Sequence, residues 1–141
     1  MELKDWLNRG YGISKRLTIK KAYLESLGNI ISNYKPREID RDQVENSSET
    51  IAIRWSETNK EVDELKRRLL KIDLETDRVL RKLKDSNQYQ VLFCRYVRRL
   101  TWDEIAEATN YSKPRVFSLH REGREELDRI TCYQEWGDDY K

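Results

Sequence analysis

The feature that most constrains this fold is a regular apolar spacing over residues 51–83. Apolar or threonine side chains recur there at alternating steps of four and three residues. That spacing is typical of a coiled-coil heptad, in which two helices bury a shared seam. We therefore predict one long helix with these oligomerisation residues: Trp55, Val62, Leu65, Leu69, Ile72, Val79 and Leu83.

Charged residues beside this seam favour a homodimer. Glu61 with Lys66, and Arg68 with Asp73, occupy a g position and the e position that follows it. A parallel partner in register would bring these opposite charges together twice. The alternative is an intramolecular hairpin, in which an earlier helix of the same chain covers the seam. Both arrangements can coexist in a dimer of hairpins.

That earlier helix is predicted over residues 14–34, after a short lead-in of residues 1–12. Ser14 is suited to cap its first turn, and Pro36 ends it because the residue before a proline is disfavoured in the α region. The polar stretch 37–48 is predicted as a loop that can include a helical turn, and Ser47 or Ser48 then caps the long helix.

The composition supports a wholly helical chain. Charged residues make up 38% and hydrophobic residues only 37%, which suits helices that each bury a narrow stripe. We predict an all-α fold with a coiled-coil or helical-hairpin part at 1–85. A small helix-turn-helix bundle follows at 86–131, and a polar tail at 132–141.

The bundle is predicted from local signals between residues 100 and 120. Thr101 and Glu104 have the spacing of a capping box, which starts a helix at residue 102. Asn110 tolerates the left-handed geometry of a bend, Ser112 caps the next helix, and Pro114 falls in its first turn. Five further residues are expected to face inward at helical spacing: Ile105, Ala106, Val116, Leu119 and Leu127. These are the requirements of a helix-turn-helix.

The second helix of this unit gathers basic and hydroxyl side chains, which are suited to base edges and phosphates in a major groove. Two arginines just before the unit are suited to phosphate. The predicted DNA-binding residues are Ser112, Lys113, Arg115, Phe117, Ser118, Arg121 and Arg124, with Arg98 and Arg99.

Other function classes lack support in the sequence. The net charge of +2 does not by itself imply nucleic acid. Cys94, Cys132 and His120 have no metal-ligand spacing, and Cys94 is expected to be a buried thiol. No glycine-rich phosphate loop or nucleophile with a neighbouring base occurs, so we expect neither an enzyme nor a cofactor. The first residues lack the apolar core of a signal peptide, and we expect a soluble, cytoplasmic protein.

The runs KDWLNRGYGIS and RYVRRLTWDEIAEATNYSKPRVFSLH, with the heptads between them, resemble a family of small phage and prophage proteins. Its members join a coiled coil to a module similar to the promoter-reading domain of bacterial sigma factors, as in RinA/ArpU-type late transcriptional regulators. The resemblance implies a bacterial host, contact with its RNA polymerase, and DNA-reading positions at Ser112, Lys113, Arg115, Ser118 and Arg121. Gly123 and the acids near it depart from the Ala and Leu usual in sigma-like modules.

Three functions remain open at this point. The first is a dimeric, sequence-specific DNA-binding transcriptional regulator of phage or prophage type, acting at promoters. The second is a phage DNA-packaging component similar to a small terminase subunit, which a ring of subunits would favour. The third is an adaptor that binds RNA polymerase and does not read DNA.

Overall fold

The computed structural model describes residues 2–33 and 41–131, and for residues 41–47 it describes the backbone alone. Within these ranges the chain is helical and contains no strand. The helices are α1 (Leu3–Asn33), α2 (Arg41–Leu80), α3 (Ser86–Tyr96), α4 (Trp102–Thr109) and α5 (Lys113–Ile130). The all-α prediction is confirmed for this part of the chain.

Helix α1 begins much earlier than the sequence suggested. It starts at Leu3, so the prediction of a cap at Ser14 is wrong, and Ser14 lies inside the helix. Trp6 and Leu7 explain the difference, because their side chains are 0% and 1% exposed. Burial of two large apolar side chains outweighs the modest helix penalty of nearby glycines. Pro36, the predicted terminator, lies outside the described residues.

Helix α2 also starts before its predicted caps. It runs from Arg41, so Ser47 and Ser48 lie within the helix, and the prediction of a start there is wrong. The part of the predicted loop from residue 41 onward is helical backbone. Its earlier part, residues 37–40, is not among the described residues, and neither is the predicted tail at 132–141.

The chain divides into two compact units, and α1 and α2 each contribute to both. The hairpin unit spans Gly12–Leu69. Among the described residues, the head unit combines residues 2–11 with residues 70–131. The start of α1 and the end of α2 thus group with the C-terminal helices, and the domain bounds at residues 85 and 131 stay predictions.

In the hairpin unit, α1 covers the apolar stripe of α2. Leu17 packs with Val62, Leu65 and Leu69, and the half-buried Ile13 and Leu24 border this cluster. Two further contacts show that the helices run antiparallel here: Lys20 Nζ lies 2.9 Å from Glu61 Oε2, and Trp55 Nε1 lies 3.6 Å from a Cβ built on Gly28. Within this unit α1 and α2 therefore pack against each other, while the homodimer stays a prediction.

The head unit has two adjoining cores. The first joins α1, α2, α3 and α5 and includes Leu83 of the predicted seam, with Val79 half-buried beside it; its buried members are Leu3, Trp6, Leu7, Leu80, Leu83, Leu92, Tyr96 and Leu127. The second joins α3, α4 and α5 through Val91, Cys94, Ile105, Val116 and Leu119. Cys94 is a buried free thiol, as predicted.

Candidate nucleic-acid interface

Local chemistry fixes both ends of α4. The Thr101 hydroxyl accepts the Glu104 amide hydrogen at 3.2 Å, and the Glu104 carboxylate accepts the Thr101 amide hydrogen at 3.3 Å. The predicted capping box is therefore confirmed. Asn110 ends the helix with φ 60°, in the left-handed region that asparagine tolerates. The chain can then turn sharply into α5.

Helix α5 starts at its predicted cap, and one face of it packs against the second core. The Ser112 hydroxyl accepts the Arg115 amide hydrogen, and Pro114 lies in the first turn. Val116 and Leu119 are fully buried in the second core. Because residues three and four apart share a helix face, this burial leaves Arg115, Phe117 and Arg121 on the exposed side of the helix.

The outward face of the first half of α5 is basic. Arg115 and Arg121 are exposed, and their side chains make no hydrogen bond or ion pair with any other described residue. Lys113 is exposed and forms an ion pair with Asp103 of α4. Ser118 is half-buried. Two exposed guanidinium groups are thus free to meet an anionic partner.

An aromatic ring stands within this basic face. Phe117 is 46% exposed, and its centroid lies 5.0 Å from that of Trp102 at an interplanar angle of 58°. Trp102 is in turn covered by the Arg95 guanidinium, 4.1 Å from the centroid of its rings. Sequence reasoning missed Trp102 and Arg95 as supports, because spacing along the chain carries no signal for a contact between α3 and α4.

His120 packs against α3 and α4 and does not belong to the exposed face of α5. Its Nε2 lies 2.7 Å from the Tyr96 hydroxyl oxygen, and its ring meets the Trp102 ring edge-on at 4.9 Å between centroids. Burial, and then the charges of Arg124 and Arg95, lower the pKa of His120 to about 4. Near neutral pH the imidazole is uncharged, which makes it a poor ligand for phosphate.

The remaining predicted arginines differ in availability. Arg98 is exposed. Arg99 is held away from solvent, because its two terminal nitrogens donate to the Asp73 carboxylate at 2.8 and 3.1 Å. Arg124 is half-buried, and its Nε lies below the surface without a hydrogen-bond partner. Arg99 is therefore engaged within the head unit, and Arg124 is less accessible than Arg115 and Arg121.

The second half of α5 carries the opposite charge. It borders an open polar cleft of about 480 Å³ that Lys84, Asp85, Gln88, Glu122, Glu125, Glu126 and Arg129 line. Arg129 hydrogen-bonds Glu126 and lowers the pKa of that carboxyl. These carboxylates make the second half of the helix unfavourable for an anionic partner.

Comparison with known proteins identifies no relative of this chain. No protein-family model matches the chain, and neither a curated protein nor a solved structure shows significant similarity to it. Two properties of the described residues can also be reported. No helix among them is long and apolar enough to cross a membrane, and no three of their His, Cys, Asp or Glu side chains form a group suited to a metal ion.

Proposed function

We propose that the chain is a sequence-specific DNA-binding transcriptional regulator, with α4 and α5 forming a helix-turn-helix. The observation that carries this proposal is the outward face of α5, where Arg115 and Arg121 are exposed without partners on a helix fixed by a cap and a core. A basic, pre-ordered helix face is what major-groove reading requires.

The charge pattern of α5 favours insertion by its N-terminal half. Lys113, Arg115 and Arg121 lie in that half, while Glu122 and Glu125 follow. In helix-turn-helix proteins the first residues of the recognition helix contact base edges. The acidic second half would then point away from the phosphates. The residues proposed to contact the DNA are Lys113, Arg115, Phe117, Ser118 and Arg121. Arg98 is proposed to lie near the phosphates of the DNA backbone.

Two parts of the proposal rest on other grounds. Action at promoters with a host RNA polymerase, in a phage or prophage, follows from the resemblance in sequence alone. Self-association has a separate support within the hairpin unit, where α1 leaves a row of apolar side chains at helical spacing: Ile19, Tyr23 and Ile30 are 63%, 43% and 48% exposed. Such a row is suited to a second copy of the chain.

The proposal is tested by titrating random-sequence and selected duplexes with the full chain and two variants. We expect Arg115→Ala and Arg121→Ala each to weaken binding by about 1–3 kcal/mol if the arginine meets a base edge. A phosphate contact would instead flatten the dependence of log K on log salt by about 0.9.

Arg54→Ala is the matched control, since Arg54 is an exposed arginine of the hairpin unit. It should change neither affinity nor salt dependence. Failure of the unmodified chain to bind any duplex at low salt would refute DNA recognition and favour the adaptor. Light scattering on the same samples distinguishes a dimer from the ring expected of a packaging component.

A further inference from the structure

Phe117 is the one large apolar side chain on the outward face of α5 for which the packing of the head unit gives no complete explanation. Nearly half of the side chain, 46%, is exposed. Lys113 and Arg121 lie four residues before and after it, so all three share one side of the helix. If this face meets DNA, as proposed above, the ring must meet the groove floor between two cations.

The ring is held in place before any ligand arrives. One side of it rests against Trp102, with 5.0 Å between ring centroids. Trp102 is fixed in turn by the Arg95 guanidinium at 4.1 Å and by the His120 ring at 4.9 Å. A side chain with few accessible rotamers loses little entropy on binding, so its contact can contribute to selectivity.

The chemistry of the major groove limits what such a ring can meet. Base edges there offer hydrogen-bond donors and acceptors, and an apolar ring that covers them removes their water without replacing its hydrogen bonds. The thymine C5 methyl is the apolar group among these edges. Contact with it buries apolar surface on both sides and leaves no polar group unpaired.

We infer that Phe117 is a specificity-determining residue that reads the C5 methyl group of a pyrimidine in the target site. The inference rests on the proposed DNA binding, and it assigns to Phe117 the recognition of one base in the bound site. The alternative role, a cover for Trp102 alone, would leave base preference unchanged when the ring is removed.

The test begins with duplexes selected by the full chain from a random library. In the tightest binder, each thymidine is replaced in turn by deoxyuridine, which removes only the methyl group. We expect one replacement to weaken binding about fourfold, the value that corresponds to about 0.8 kcal/mol for one buried methyl-sized group. At that position 5-methyldeoxycytidine should bind more tightly than deoxycytidine by a similar factor.

The Phe117→Ala variant makes the test specific to this side chain. It should bind the thymidine and deoxyuridine duplexes equally at the sensitive position, while Phe117→Leu keeps part of the difference. Ile53→Ala removes an apolar side chain that is 53% exposed in the hairpin unit, and it should leave the fourfold difference intact. Circular dichroism on each variant verifies that the helices are retained.

The outcomes separate this inference from the proposed function. If no duplex binds, both fail. If duplexes bind but no deoxyuridine replacement matters, or if the difference persists in Phe117→Ala, DNA recognition stands and the methyl-reading role is refuted. Loss of the difference in Phe117→Ala alone supports the assignment.

Discussion

The head unit and the hairpin unit bury their apolar side chains to different degrees. Among the described residues, every hydrophobic side chain with 0% exposure belongs to the head unit. In the hairpin unit the buried residues keep between 2% and 9% of their surface, as Val62 and Leu69 illustrate. Several packed helices can enclose a side chain on all sides, whereas two helices enclose only the stripe between them.

One ion pair from each unit shows the same contrast. In the head unit Arg99 and Asp73 are 13% and 21% exposed and share two hydrogen bonds. In the hairpin unit Lys20 and Glu61 are 36% and 53% exposed and meet through one contact. The Arg99 and Asp73 charges are thus largely withdrawn from water, whereas those of Lys20 and Glu61 are not.

The largest expected difference concerns core truncation. Leu119→Ala in the head unit should cost about 3–4 kcal/mol of unfolding free energy, and Leu69→Ala in the hairpin unit about 2, because a less enclosed site leaves a smaller cavity. Urea titration followed by circular dichroism measures both. Leu74→Ala is the control, since that side chain is 63% exposed, and it should change stability by less than about 0.5 kcal/mol. Equal costs for the first two variants would contradict the comparison.

Double-mutant cycles on the two ion pairs should give the next largest difference. The Asp73 and Arg99 pair should show a coupling of about 2 kcal/mol, because its charges are largely withdrawn from water. The Lys20 and Glu61 pair should stay below about 1 kcal/mol. Repeating both cycles at high salt is informative, since only the exposed pair should weaken markedly. A larger coupling in the hairpin unit would reverse the argument.

The single histidine of the chain, His120, lies in the head unit. Its pKa falls from an ordinary 6.5 to about 4 on folding, so the unfolded chain binds more protons between these values. Stability is then full above pH 6.5 and declines as the pH falls toward 4, by about 1–2 kcal/mol after allowance for partial exposure. Urea midpoints at pH 7 and 5.2 measure this decline, and His120→Gln should reduce it. An unchanged slope in that variant would refute the assignment to His120.

The smallest expected effect concerns helix caps. Thr101→Ala and Ser112→Ala should each cost about 1 kcal/mol, because each hydroxyl accepts an amide hydrogen that would otherwise lack a partner. Thr18 in α1 is the matched control. Its hydroxyl donates to the Ser14 carbonyl oxygen in mid-helix, so Thr18→Ala should be neutral or slightly stabilising. Thermal unfolding resolves this difference, and a destabilising Thr18→Ala would argue against it.

Local signals predicted the starts of α4 and α5 well. The capping box at Thr101, the left-handed Asn110 and the cap at Ser112 all depend on residues within four positions of each other. Their geometry is decided by backbone chemistry that the sequence displays directly. The inward positions, including Ile105 and Val116, also followed from helical spacing.

Signals that depend on distant residues were not visible in the sequence. The start of α1 at Leu3 is favoured by burial of Trp6 in a core to which three other helices contribute. Asp73 seemed suited to an interchain pair, but in the structure it binds Arg99, 26 residues away. The prediction of Phe117 as a DNA-binding residue implied that it is exposed. Its contact with Trp102, and that of Trp102 with Arg95, depend on how the helices pack and could not be predicted from the sequence.

Gly123 has a consequence for how this sequence can vary. It is buried where α5 crosses α3, and a Cβ there would lie 2.8 Å from Leu92 Cδ1. Alanine at 123 would raise helix propensity but push that leucine aside. The two positions should therefore change together in any relative of this chain: a larger residue at 123 with a smaller one at 92. Unmatched changes would tilt α5, and with it the direction in which Arg115 and Arg121 point.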